Sequence, residues 1–273
     1  MPYSIRNGVK TYYEVAGEGP PMVLLHATPY DHSIWLYQIA HFSTWFRVIA
    51  PDSRCFGRSD KVEEPFDYVE MAHDIEALCA QENVKDAILM GGSLGCRLGV
   101  WLGHERPDLF KAVVLVGGNV QVSNQGLSDS DRRRSERTRK YTDGPLIDAF
   151  RWQLESGVSD DFPKTRLGRH LIDLFLERAP WLSGQAIARV FEASPQFELT
   201  SRLPDIKIPF LVITGEHDHS IDCAKETARL IPGGVHKTLP GTGHDCAIED
   251  PAGFDTFVME FLEQHWMIPK TSP

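Results

Sequence analysis

The sequence predicts an α/β protein, a mostly parallel sheet with helices on both faces and an all-helical insert. Three observations carry that prediction. Short runs that are apolar throughout, such as "MVLLH" and "KAVVLVGG", alternate with amphipathic helical stretches, as strands buried on both faces do. From about 120 to 203 the alternation stops and only helical periodicities remain. With 273 residues, 42% of them apolar, the chain is long enough for one large domain carrying an insert.

The elements follow in order. "YSIR", an Asn7-Gly8 turn and the alternating "VKTYYEV" predict a hairpin, because Asn-Gly tolerates the positive φ of a tight turn. Strands are expected at Met22 to His26 and Phe46 to Asp52, with a helix from about Trp35 to Phe42 between them. A helix over 68–81, a strand "DAILMG", a helix from Leu94 to about His104 and the strand "KAVVLVGG" continue the rhythm. The stretch 120–203 then reads as a helical cap over one end of the sheet, leaving 1–119 and 204–273 as the core. Within it, Ser128 to Lys140 is expected to be a solvated helix face, and helical spacing places most of Trp152, Phe175, Trp181 and Phe191 in the core. The βα rhythm resumes at "PFLVITGEHD" and passes through a helix near Cys223 to Leu230 and a strand "VHKTLP". It closes with the helix "FDTFVMEFLEQHW".

Composition narrows the function. Lys plus Arg total 28 and Asp plus Glu 38, a net charge of -10 that repels phosphate backbones and anionic lipid, so neither nucleic acid nor a membrane is expected as partner. "MPYSIRNGVK" lacks the apolar core of a secretory signal, and no apolar run approaches the roughly 20 residues that span a bilayer. A cytoplasmic protein is expected. The cysteines Cys55, Cys79, Cys96, Cys223 and Cys246 are odd in number and lack C-x-x-C spacing, which suggests buried reduced thiols rather than a disulfide framework or zinc site.

Gly91-Gly92-Ser93-Leu94-Gly95 fits G-x-S-x-G between an apolar strand and a helical pattern, the context in which a serine projects above a sheet edge. Serine is a poor nucleophile near neutral pH and requires a histidine to take its proton and a carboxylate to orient that histidine. Asp218 stands just past the end of "FLVITG", with Glu216 competing two residues earlier, and "LPGTGHD" puts His244 in a glycine-rich loop after the last strand.

Together with "VLLHATP", "PDSRCFGRSD", "TGEHD" and "GTGHDCAIEDP", taken in that order, these residues give a chain that resembles the capped serine α/β hydrolases over nearly all of its length outside the insert. Its N-terminal region resembles small bacterial esterases and enol-lactonases of that superfamily. The resemblance implies that Ser93 attacks a carbonyl carbon, that His244 acts first as base and then as acid, and that Asp218 holds the imidazole in its useful tautomer. It also implies an oxyanion hole made by the backbone N–H groups of Leu94 and Thr28. Some family members carry the acid after the strand corresponding to "VVLVGG", but "GGNVQVS" has no carboxylate there, which favours Asp218. No cofactor is implied. Ala27 and Cys55 stand where the family usually has glycine, and a Cβ forced into an unusual backbone angle at either would be strained and would shift the Thr28 amide.

His217, Asp218 and His219 are metal-ligating types, but neighbours on an extended segment point oppositely, so no metal is expected. His26 is expected to be a structural, hydrogen-bonded histidine; Asp31 and His32 lie near the oxyanion segment, Asp52, Arg54 and Arg58 form a structural charge cluster, and Cys246 packs. Tyr30, Trp35 and Trp152 are the expected substrate contacts.

The expected activity is hydrolysis of a small carboxylic ester or lactone, with water as co-substrate, through an acyl-enzyme. Serine at the elbow argues against haloalkane dehalogenase and epoxide hydrolase chemistry, which uses an aspartate there. The rivals are C–C bond hydrolysis, amide hydrolysis or perhydrolysis on the same scaffold and, from a different class, a ligand receptor whose cap closes over its ligand.

Overall fold

β1 (Tyr3–Arg6) and β2 (Val9–Ala16) make the expected hairpin, with Arg6 opposite Val9 and positive φ at both turn residues, 49° for Asn7 and 83° for Gly8. The remaining strands are β3 (Pro21–Leu25), β4 (Arg47–Pro51), β5 (Ala87–Gly92), β6 (Phe110–Val116), β7 (Phe210–Gly215) and β8 (Val235–Leu239). They form one eight-stranded sheet in the order β1-β2-β4-β3-β5-β6-β7-β8, in a computed structural model that describes residues 3–118, 120, 136–193 and 199–269. Every pairing from β4 onward along that order is parallel; the hairpin supplies the antiparallel edge.

Strand period divides the core in two. Val23, Leu25, Leu89, Val113 and Val212 face one way and pack against α2 (Tyr68–Gln81) and α3 (Leu94–Glu105), while Met22, Leu24, Met90, Val114 and Ile213 face the other. The second face is covered by α1 (Leu36–Phe42) and the C-terminal helix Pro251–Gln264. Residues buried on both faces explain why these strands read as unbroken apolar runs.

Between β6 and β7 the described residues contain no strand. They hold α4 (Leu146–Gly157), α5 (Arg166–Leu176) and α6 (Gly184–Ala193), whose apolar faces pack against the same two cores. Of the polar stretch expected to be a solvated helix face, 128–135 lie outside the described residues and 136–140 are helical. Tyr30 fastens this layer to the core: its ring meets Phe150 and Phe175 edge-on at 6.1 and 5.4 Å. An Arg178–Asp31 ion pair at 2.9 Å adds a polar clasp. After β7, α7 (Ile221–Leu230) begins slightly earlier than the sequence suggested. Among the described residues no helix is long and apolar enough to cross a membrane.

Candidate active site

The carboxyl ends of β5 and β6 and the loops after β3 and β8 meet at one cavity, and the loop after β7 stands behind it. Ser93 occupies the single residue between β5 and α3, at φ 46° and ψ -96°. A positive φ is costly for a residue with a Cβ and persists only where the surroundings enforce it. Here they do. A Cβ on Gly91 would lie 2.3 Å from the Gly95 carbonyl oxygen, and one on Gly95 would lie 2.3 Å from the Leu25 carbonyl oxygen. The turn closes only because both lack one. The Ser93 N–H donates to the Val116 carbonyl at 2.9 Å, anchoring the elbow to β6.

The acid and histidine loops are stitched together by backbone bonds, Glu216 N–H to the Leu239 carbonyl and His217 N–H to the Thr242 carbonyl, both 2.9 Å. That brings the His244 Nδ1–H to the Asp218 Oδ1 at 2.9 Å, and the same oxygen accepts from the Ser220 amide and hydroxyl at 2.7 and 2.8 Å. Burial pushes the Asp218 carboxyl up, but the His244 bond and charge and the Ser220 donors outweigh it and hold the group at about 2. Burial likewise lowers the His244 imidazole, and the Asp218 carboxylate more than reverses this, leaving it above its ordinary value. Glu216, the competing acid, is exposed and accepts instead from the Gly241 amide at 2.9 Å.

Ser93 and His244 line one cavity of about 300 Å³, together with Trp35, Asp245 and apolar walls that include Ala27, Ile34 and Val116. Tyr30 lines a neighbouring cavity of about 240 Å³ at the seam between the core and the helical layer, where Phe175 and Trp181 also lie. Trp152 lines neither; it is half-buried, with the Lys140 ammonium 4.3 Å above its ring. Leu94 opens α3, where the first amides have no acceptor within the helix. Thr28 sits in a turn closed by the Tyr30 N–H on the Ala27 carbonyl at 3.0 Å. Of the two departures from glycine, Cys55 does adopt a positive φ, 77°, and Ala27 is not among the described residues that do.

His26 is fully buried: its Nδ1–H donates to the Ala27 carbonyl and its Nε2 accepts the Ser53 amide, both at 2.9 Å, so it bridges the loops after β3 and β4. Asp52 accepts from the His32 ring and amide and from the Arg58 amide, while Arg54 pairs with Asp74 at 2.6 Å. Among the described residues two groups have ligand atoms near enough to share an ion, Asp218 with His219 and His244, and Asp31 with His32 and Asp52. His217 belongs to neither, and the carboxylates in both groups are engaged by N–H and O–H donors. Cys246 is fully buried and its thiol is pushed well above the ordinary range by burial and nearby carboxylates.

Sequence reasoning passed over Asp245. It lines the cavity with Ser93 and His244 and accepts the Tyr30 hydroxyl, and the signal available was its place immediately after the candidate histidine.

The chain belongs to the α/β hydrolase family: the model for the alpha/beta hydrolase fold matches residues 20–251. It is 25% identical over 269 residues to the non-heme chloroperoxidase CPO-A1 of Kitasatospora aureofaciens, covering 95% of this chain and 98% of that one. Among solved structures it resembles the enol-lactonase of Burkholderia xenovorans LB400 with a TM-score of 0.87 at 25% identity, over 96% of this chain and 100% of that one. It also resembles Est816, described as an N-acyl homoserine lactone degrading enzyme, with a TM-score of 0.80 at 26% identity, over 95% and 100% of the two chains. At the level of reaction class the protein is a hydrolase.

Proposed function

We propose that the protein hydrolyses a small carboxylic ester or lactone through an acyl-enzyme on Ser93. The observation that carries the reading is that the strained serine shares its cavity with an imidazole whose far nitrogen is held by a buried carboxylate. In the first step the Ser93 oxygen bonds to the carbonyl carbon as its proton passes to His244 Nε2, and Asp218 stabilises the imidazolium through Nδ1–H. The amides of Leu94 and Thr28 receive the negative charge that develops on the carbonyl oxygen. His244 then returns the proton to the departing alkoxide. Water enters, loses a proton to His244 and releases the acid by the same steps in reverse. Trp35 and Tyr30 contact the substrate, and helices of 120–203 cap the site over a core of 1–119 and 204–273.

The likeness to an enol-lactonase and to a lactone-degrading enzyme supports the ester and lactone class. The likeness to a chloroperoxidase favours one second reading, in which hydrogen peroxide replaces water as acceptor of the acyl group. A panel of p-nitrophenyl esters, lactones, anilides and vinylogous diketones, run with and without peroxide, separates these. Turnover of esters or lactones well above the other substrates, with no gain in peracid, is expected. Faster cleavage of the diketones or anilides, or peracid as main product, overturns the assignment.

A further inference from the structure

The loop that carries His244 is tied to the helical layer on both sides of the histidine. Before it, the Gly243 N–H donates to the Glu249 Oε1 at 2.6 Å. After it, the Asp245 N–H donates to the Gly157 carbonyl at 2.7 Å. Glu249 carries the first tie across to the helical layer, since its Oε2 accepts the Ser159 N–H at 3.0 Å and the Ser159 hydroxyl at 2.5 Å. One carboxylate thus spans from the histidine loop to the turn that follows α4.

The two segments pack backbone against backbone. A Cβ on Gly243 would lie 2.6 Å from the Val158 carbonyl carbon, and one on Gly157 would lie 2.3 Å from the Asp245 Oδ2. Neither glycine is among the described residues with a positive φ, so what glycine supplies here is close approach rather than backbone freedom. On its other side the loop is held by the His217 N–H on the Thr242 carbonyl, which leaves it between the acid loop and 157–159.

Bonds from N–H and O–H donors to a carboxylate are roughly twice as strong as those between neutral groups. The Asp218 bond fixes one nitrogen of the His244 ring, while the position of the ring as a whole follows the backbone that Glu249 and Gly157 hold. A displacement of about 1 Å in a reacting group costs on the order of a hundredfold in rate. Neither Glu249 nor Ser159 lines the cavity that contains Ser93, so a rate effect at either passes through the loop and not through contact with substrate.

We propose that Glu249 is a positioning residue for the base: by joining Gly243 to Ser159 it makes the register of His244 depend on the docking of 157–159. The proposal rests on the serine-hydrolase reading.

The test measures kcat and KM on the ester best turned over in the panel above, and the rate at which a fluorophosphonate labels Ser93. The variants are Glu249→Ala, Glu249→Gln and Ser159→Ala, each also made in the His244→Ala background. Glu249→Ala is expected to lower kcat and labelling by on the order of a hundredfold with KM within about threefold of wild type. Glu249→Gln, which turns an N–H₂ toward one of the donors, is expected to cost about tenfold, and Ser159→Ala, which removes one donor, about threefold. In His244→Ala the same changes are expected to alter the residual labelling by less than about twofold, because no ring is left to position. Equal losses in both backgrounds, a loss confined to KM, or wild-type rates in Glu249→Ala each overturn the proposal while leaving ester hydrolysis intact. If Glu249→Ala does not fold, Glu249→Gln and Ser159→Ala decide by the same comparison. Absence of both turnover and labelling in wild-type enzyme removes the serine-hydrolase reading, and this inference with it.

Discussion

Among the described residues two buried histidine–aspartate pairs are built almost alike. His244 meets Asp218 through Nδ1 at 2.9 Å, and His32 meets Asp52 through Nδ1 at 2.7 Å. Both carboxylates are inaccessible to solvent, and both imidazoles are held above their ordinary value against the effect of burial, by the carboxylate each one meets. The pairs differ in what surrounds them. Asp52 is saturated, one oxygen taken by the His32 ring and amide and the other by the Arg58 amide at 2.8 Å, and the far nitrogen of His32 lies 3.4 Å from Glu14. Asp218 keeps an oxygen without a partner among the described residues, and His244 lines a cavity beside a serine held at positive φ. A buried histidine–carboxylate bond is therefore a way to fix an imidazole; chemistry depends on what the rest of the ring is left free to meet.

The largest expected effect separates the pairs outright. Ser93→Ala and His244→Ala are expected to lower kcat for an activated ester by on the order of a million-fold while the fold survives. His32→Ala, assayed beside them, changes it by less than about tenfold. Asp218→Asn supplies a partner that stabilises the wrong tautomer and is expected to cost about ten-thousand-fold. Its counterpart Asp52→Ala leaves the His32 and Arg58 amides without their acceptor and shows its effect in denaturant titration instead, as a loss of ~3 kcal/mol. If Asp52→Ala abolishes turnover without loss of stability, the contrast fails.

The pH profile sharpens the same contrast. In the proposed mechanism only neutral His244 accepts the serine proton, so kcat/KM is expected to rise with pH through a pKa above the ordinary value of about 6.5 and then level off. Both histidines have folded values raised above their unfolded ones. Each therefore contributes stability that is fully present below about 6.5 and lost as pH rises through the folded value. Asp218 has the opposite sign: its contribution is present above about 3.9 and disappears as pH falls toward 2.

Asp245 provides the smallest and most diagnostic effect. Its folded value, about 6, is raised, so its favourable contribution exists below about 3.9 and is lost as pH rises through 6. Asp245→Asn is expected to raise stability by ~2 kcal/mol at pH 8 and by little at pH 4, measured as Tm at the two values. An equal change at both shows that the carboxyl is not titrating in its cavity.

Much of this was legible in the sequence because it depends on neighbours along the chain. Asn7-Gly8 announces its turn, the apolar runs announce strands buried on two faces, and the glycines around Ser93 announce the elbow. Cys55 at a glycine position was also visible, and it does adopt the left-handed backbone. What was not legible depends on residues far apart in sequence. Asp245 gains its meaning from Tyr30 and from the close approach of Gly157. His32 becomes structural only once Asp52 and Glu14 surround it, and the Lys140 ammonium over the Trp152 ring is a contact that helical spacing does not announce. Helical spacing places a side chain on a face without saying what that face will meet.

The central claim is that a serine is activated by one of these two pairs and not by the other. Intact-mass and peptide-mass analysis after fluorophosphonate treatment tests it directly, on wild-type, Ser93→Ala, His244→Ala and His32→Ala proteins. One adduct on Ser93 is expected, absent from Ser93→Ala, slowed by at least about a thousandfold in His244→Ala and formed at near wild-type rate in His32→Ala. An adduct on another residue, or wild-type labelling of Ser93 in His244→Ala, contradicts the account.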